Sequence, residues 1–154
     1  MGRQLTDEER TTSGLWLLMS SVAARFGRES LRGLNGGKFG VQGARVLTFL
    51  LDQEGLRCSS LANAIGLEAT ALSHLLRSLA DQDLIARTRA QSDQRTIEVS
   101  LTPKGRDLAM QCRAMNLQME SVLVKGLGEA DLQNLHGILT RMSANLDAAG
   151  GAEG

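Results

Sequence analysis

The stretch that most restricts how this chain can fold is residues 67–101, LEATALSHLLRSLADQDLIARTRAQSDQRTIEVSL, because its hydrophobic period changes midway. Leu72, Leu75, Leu76 and Leu79 fall at i, i+3, i+4 and i+7, which places them on one side of a helix. Thr70, Ser73, His74 and Arg77 keep the same spacing and fall nearly opposite. One face therefore requires a core. The other carries hydroxyls, an imidazole and a guanidinium without a carboxylate, the small donors and acceptors that reading base edges in a major groove requires. From Thr96 to Leu101 polar and apolar residues alternate strictly, which reads as a half-buried strand. Residues 86–90 are its expected partner, with Arg87 and Arg89 on one face, and the polar segment 91–95 between them is rich in turn formers. A helix followed by a basic hairpin is a winged helix, with the hairpin as the wing.

The rest of the chain reads as helix. Residues 13–34 carry an apolar stripe of Leu15, Leu18, Val22 and Phe26, widened by Trp16, Leu17 and Met19 beyond what one partner needs. Arg25, Arg28 and Arg32 form a basic stripe that reads as a solvated flank. Asn35-Gly36-Gly37 tolerates positive φ and stops this helix. A second helix spans residues 41–53, with Val46, Leu47, Leu50 and Leu51 inward. A short third helix, residues 58–65, meets the 67–79 helix through Gly66, which is helix-turn-helix geometry. After the wing, Thr102 can cap and Pro103 suits a first helical position. That helix runs to about residue 125, with Leu108, Cys112, Met115, Met119 and Val122 at alternating four- and three-residue steps. Gly126 and Gly128 interrupt, and a last helix spans residues 129–146 with a seam of Leu132, Leu135, Leu139, Met142 and Leu146. Such seams suit helix-on-helix packing within one chain or between two. Thr6 with Glu9 matches a capping box. Residues 1–12 and 148–154 read as flexible tails.

Composition excludes several classes. The 154 residues suffice for one domain with its own core. No apolar run is long enough to cross a membrane, no signal segment is evident, and two widely separated cysteines form no disulfide framework, so a reducing cytoplasm is expected. Aromatics make up only 3% of residues, which argues against stacking on single-stranded nucleic acid. Net charge is zero, yet residues 87–95 hold three arginines and one acid while other acids gather at Asp7-Glu8-Glu9, Glu129 and Asp131. A basic tip on a neutral body implies modest, salt-dependent affinity for DNA. No phosphate loop, nucleophile elbow or zinc-hydrolase motif is present, so an enzyme is not expected. Cys58, Cys112, His74 and His136 show no metal-ligand spacing, so neither metal nor cofactor is expected.

The order of elements resembles the multiple-antibiotic-resistance-regulator (MarR-type) family of bacterial transcription factors. Four stretches carry the resemblance: Leu61-Ala62; residues 70–79; Asp83-Leu84-Ile85-Ala86-Arg87; and Ser92-Asp93-Gln94-Arg95 followed by Val99-Ser100-Leu101-Thr102-Pro103-Lys104-Gly105. The resemblance implies a single MarR-like domain over residues 1–154, mainly α with a small β-hairpin wing. Residues 41–101 would be the winged helix-turn-helix core, and residues 13–34 and 103–147 the dimerisation helices. It implies a homodimer that reads a pseudo-palindromic double-stranded operator, usually as a repressor, and is released by a small ligand or an oxidant. Thr70, Ser73, His74 and Arg77 would face bases or phosphates, and Arg87 and Arg89 the backbone. Arg95 would enter the minor groove, oriented by Asp93 through a planar paired hydrogen bond.

The chain departs from the family where Ala69 and Ser78 stand at positions commonly basic, His74 at a frequent arginine and Asp83 at the usual glycine. His74 reads either as a DNA contact or as a surface histidine. Cys58 reads either as a small partly buried group at a helix start or as a redox-active thiol, and Cys112 reads as core. Trp16 and Met19 are candidates to line an apolar pocket for an aromatic or acyl compound. A rival in another class is a winged helix that binds a protein partner, against which the basic wing argues.

Overall fold

The computed structural model describes residues 6, 12, 14–32, 34, 39–53, 55–89 and 97–150. The chain forms two compact units, residues 1–119 and 120–154. The first contains α1 (Leu15–Leu31), α2 (Gly40–Leu50), β1 (Leu56–Arg57), α3 (Cys58–Ile65), α4 (Ala69–Asp81), β2 (Ile85–Arg89), β3 (Ile97–Leu101) and most of α5 (Pro103–Leu123). The second contains the end of α5 and α6 (Glu129–Gly150). The mainly helical, winged architecture expected from the periodicity is therefore observed, and no helix among the described residues is long and apolar enough to cross a membrane. Glu9 of the Thr6–Glu9 capping box and the segment 91–95 lie outside the described residues.

The core of the first unit sits where the periodicity placed it. Leu72, Leu76 and Leu79 of α4 are buried with Val46, Leu47 and Leu50 of α2, Leu61 and Ile65 of α3, and Val99 of β3. Cys112 of α5 joins this core, and burial pushes its thiol pKa up. Gly66, at φ 64°, ends α3, with Leu67 N–H donating to Ala62 O at 3.1 Å and Gly66 N–H to Asn63 O at 3.3 Å. This is a Schellman ending, and it turns the chain into α4. The wing is antiparallel, pairing Ile85 with Leu101, Arg87 with Val99 and Arg89 with Ile97. The sequence pattern missed β1, whose two residues are too short to show a period. It adds a third strand beside β3, with Leu56 opposite Val99.

A second Schellman ending closes α4, and here the left-handed residue is Asp83, at φ 58°. Leu84 N–H donates to Leu79 O at 3.0 Å and Asp83 N–H to Ala80 O at 2.9 Å. The same turn receives the start of α5. Thr102 Oγ1 donates to Asp83 O at 2.7 Å and accepts from Gly105 N–H at 3.0 Å, which is the cap expected of Thr102. Thr102 N–H donates to Leu84 O at 3.2 Å, and Lys104 Nζ to Gln82 O at 2.8 Å. Gly105 is buried so closely against Leu84 that a side-chain carbon there would overlap the Leu84 carbonyl. The Leu-Thr-Pro-Lys-Gly run thus has a packing reason at each end. Further along α5, Arg113 pairs with Asp52 at 2.6 Å and reaches Thr48 O at 3.4 Å, which ties α5 to the end of α2.

The second unit is simpler. Gly126, at φ 87°, follows the last turn of α5, and Asp131 Oδ2 accepts from Gly128 N–H at 2.9 Å at the start of α6. Glu129 and Asp131 lie in its first turn, where carboxylates complement the helix dipole.

Two substitutions test the α4–α5 joint in denaturant unfolding. Gly105→Ala forces the helix start off the Leu84 carbonyl and is expected to cost roughly 3 kcal/mol, the upper range of overpacking. Asp83→Gly relieves a left-handed residue and is expected to stabilise by about 0.5–1 kcal/mol.

Candidate nucleic-acid interface

Thr70, Ser73, His74 and Arg77 are all exposed on the outer face of α4, while Leu72, Leu76 and Leu79 hold the helix down. Ala69 and Ala71 keep the first turn of that face free of bulk. Leu75 lies between the two faces and is half-buried. None of the four polar residues has a hydrogen-bond or ion-pair partner among the described residues. The acids nearest in sequence are Glu68, exposed at the N-cap of α4, and Asp81 and Asp83, exposed at its C-terminal end.

The strand register fixes which face carries the two wing arginines. Cross-strand partners share a side of the sheet. The register therefore puts Arg87 and Arg89 on the side of Ile85, Val99 and Ile97, which at the base of the wing packs into the core. Along β2 this side runs from buried Ile85 to exposed Arg87 and Arg89. The strand keeps its period of two but changes chemistry where it leaves the core. Both guanidinium groups lack a partner among the described residues. Asp93 and Arg95, expected as the orienting and minor-groove pair, lie outside the described residues.

The remaining candidates fall elsewhere. Cys58 is the first residue of α3 and is half-buried against the core, following the Arg57 cap position. His136 is exposed on α6. No group of three or more metal-ligating side chains occurs among the described residues. Trp16 is 70% exposed and Met19 38% exposed, in an apolar surface that also includes Leu15, Leu17, Leu18 and Val22.

Sequence reading missed a cavity of about 520 Å³ in the first unit, between α1, α2 and one residue of α5, Asn116. Its walls include Phe26, Ser30, Val41, Ala44 and Arg45, whereas Trp16 and Met19 are not among its lining residues. The one hint in the sequence was Gly27, an isolated glycine inside a helical pattern. A side-chain carbon there would meet Val41 Cγ1 at 2.6 Å, so Gly27 lets α1 and α2 approach beside the cavity.

A helix-turn-helix whose second helix presents an unpaired polar face, followed by an arginine-bearing hairpin, defines a winged-helix nucleic-acid-binding fold. Comparison with known proteins narrows the class. Residues 42–97 match the MarR family model, and over that segment the chain is similar to MarR-type proteins. It is 33% identical over 63 residues to the HTH-type transcriptional regulator SarZ of Staphylococcus epidermidis, an alignment covering 41% of this chain and 43% of that protein. The aligned segment thus spans less than half the length of this curated relative. Among solved structures, the Staphylococcus aureus MepR–DNA complex has a TM-score of 0.75 at 25% identity, over 84% of this chain and 96% of that one. CouR of Rhodococcus jostii bound to p-coumaroyl-CoA has a TM-score of 0.75 at 21% identity, over 86% and 93%.

Exposed side chains without partners contribute little to folding. Alanine at Arg77, Arg87 or Arg89 is therefore expected to change unfolding free energy by no more than about 0.5 kcal/mol. A larger loss in thermal or denaturant unfolding would show that these arginines serve the fold.

Proposed function

We propose that this protein is a dimeric, sequence-specific double-stranded DNA-binding transcriptional regulator of the repressor type, whose DNA affinity a small ligand modulates. One observation carries the reading: the outward face of α4 and the free end of the wing hold four polar and two basic side chains without partners among the described residues. Unpaired guanidinium groups on a neutral protein suit a polyanion, and the small polar groups of α4 suit base edges. In this reading Thr70, Ser73, His74 and Arg77 meet bases or phosphates in the major groove, Arg87 and Arg89 meet the backbone, and Arg95, oriented by Asp93, enters the minor groove. DNA as partner implies a cytoplasmic protein without catalysis. The DNA-bound MepR structure supports this reading by analogy of fold.

Dimerisation through residues 13–34 and 103–147 is supported by exposed apolar residues in both segments. Trp16, Leu17 and Leu18, and Leu117, Val122 and Leu146, are each more than half exposed in the single chain. Large apolar patches mark association surfaces. Two α4 helices related by a two-fold would read half-sites about one helical turn apart. Ligand modulation is supported by the α1–α2 cavity and by analogy with ligand-bound CouR.

The test is fluorescence anisotropy with the DNA upstream of this protein's own gene, across a salt series, alongside light scattering to establish the dimer. The wild type is expected to prefer that site to random DNA and to lose affinity steeply as salt rises. Arg77→Ala is expected to cost about 1–3 kcal/mol and to relax preference, whereas Arg87→Ala with Arg89→Ala lowers affinity for all sequences and flattens the salt slope. No binding at low salt by a verified dimer would overturn the proposal and favour a protein partner for the winged helix.

A further inference from the structure

The outer face of α4 changes chemistry along its length. Its first turn carries Ala69 and Ala71, both exposed, and the Glu68 carboxylate is exposed at the N-cap. Glu68 makes no side-chain hydrogen bond to the helix amides, so the fold does not use its acceptor oxygens as a cap. Residues 67–76 hold no lysine or arginine. The first permanent cation of this face, Arg77, stands about two turns beyond Ala69. The two ends of the face therefore suit different base pairs.

Base pairs differ in what they show in the major groove. An ionised carboxylate can only accept hydrogen bonds, so guanine O6 and N7 repel it and the amino group of adenine or cytosine attracts it. A bare methyl side chain finds its counterpart in the thymine C5-methyl group. The A·T pair alone presents both features, the amino group on one strand and the methyl on the other. A guanidinium has the opposite preference and pairs with guanine O6 and N7. A carboxylate brought near phosphates is unfavourable on every sequence alike. Glu68 thus lowers affinity for DNA in general while raising discrimination between base pairs.

We propose that α4 reads a graded half-site. An A·T pair lies at its first turn, where Ala69 and Ala71 meet the thymine methyl and Glu68 the adenine amino group, and a guanine lies at Arg77. The inference rests on the DNA-binding reading and adds which bases the helix selects.

The experiment begins by selecting duplexes with the full-length protein from a library with a randomised core. The enriched duplex is then made with deoxyuridine in place of every thymine, which removes the C5-methyl groups and keeps the pairing. Burying one methyl group is worth about fourfold in affinity, so a dimer on two half-sites is expected to bind the thymine duplex about tenfold more tightly than the uracil duplex. Ala69→Gly with Ala71→Gly is expected to bring that ratio close to one. Any loss of helix stability in this variant weakens both duplexes and cancels in the ratio. If the double variant does not fold, Ala69→Gly and Ala71→Gly taken singly are each expected to lower the ratio. Glu68→Ala is expected to bind random duplex more tightly than wild type and to enrich sites with a weaker preference for A·T. Equal affinity for the two duplexes, an unchanged ratio in the glycine variants, or weaker binding of random duplex by Glu68→Ala would each overturn the graded half-site. If a verified dimer enriches no site, the regulator reading itself fails. If a site is enriched and its methyl groups make no difference, that reading stands and the base assignment alone is wrong.

Discussion

The winged-helix unit depends on one joint, where the turn after α4 meets the first turn of α5. Three consecutive carbonyls of that turn, Gln82, Asp83 and Leu84, accept from Lys104, the Thr102 hydroxyl and the Thr102 amide. Each would otherwise be a helix-end acceptor left to solvent or left unpaired. The contact is close because Gly105 has no side chain to hold α5 away from Leu84. Helix α4 ends, β2 begins and α5 starts within this one hydrogen-bonded cluster. The orientation of α4 and the root of β2 are therefore set together.

Charge is distributed with the same economy. The neutral total conceals a division of labour among cations. Arg32 pairs with Glu29 at 2.8 Å and Arg113 with Asp52 at 2.6 Å, both away from the outer face of α4. Arg77, Arg87 and Arg89 have no such partner among the described residues. Surface pairs of this kind contribute little to stability. Their consequence is that acids are taken up elsewhere and the guanidinium groups of α4 and the wing remain available to an external anion.

Most of the fold was legible because its elements carry a strong period. The leucine spacing of α4 and the alternation of residues 96–101 placed those elements correctly, and Gly66 marked the turn between α3 and α4. The end of α1 was drawn too far, to residue 34 rather than Leu31, since the apolar stripe continues past the point where the backbone leaves the helix. Strand β1 was illegible because two residues cannot display alternation. The outer face of α4 was legible as a pattern, but the face shared by Arg87, Arg89 and the core-facing strand residues needed the register. The cavity left almost no trace in the sequence. One of its lining residues, Ser30, has a buried hydroxyl without a partner among the described residues, and nothing in a linear pattern distinguishes it from Ser20, which bonds its own helix.

Helix α2 lies between the cavity and α4 in the first unit. On one side it contributes Val41, Ala44 and Arg45 to the cavity. On the other it contributes Val46, Leu47 and Leu50 to the core that holds α4. Gly43 lies beside Ala44 and approaches α4 so closely that a side-chain carbon there would meet Leu79 Cδ2 at 3.3 Å. One helix thickness thus separates the cavity floor from the inner face of α4. Packed interiors transmit displacement because they have little free volume to absorb it. The close approach on both sides of α2 needs small residues, since a side-chain carbon at Gly27 would meet Val41 Cγ1 at 2.6 Å and one at Gly43 would meet Phe39 Cβ at 2.8 Å and Leu79 Cδ2 at 3.3 Å.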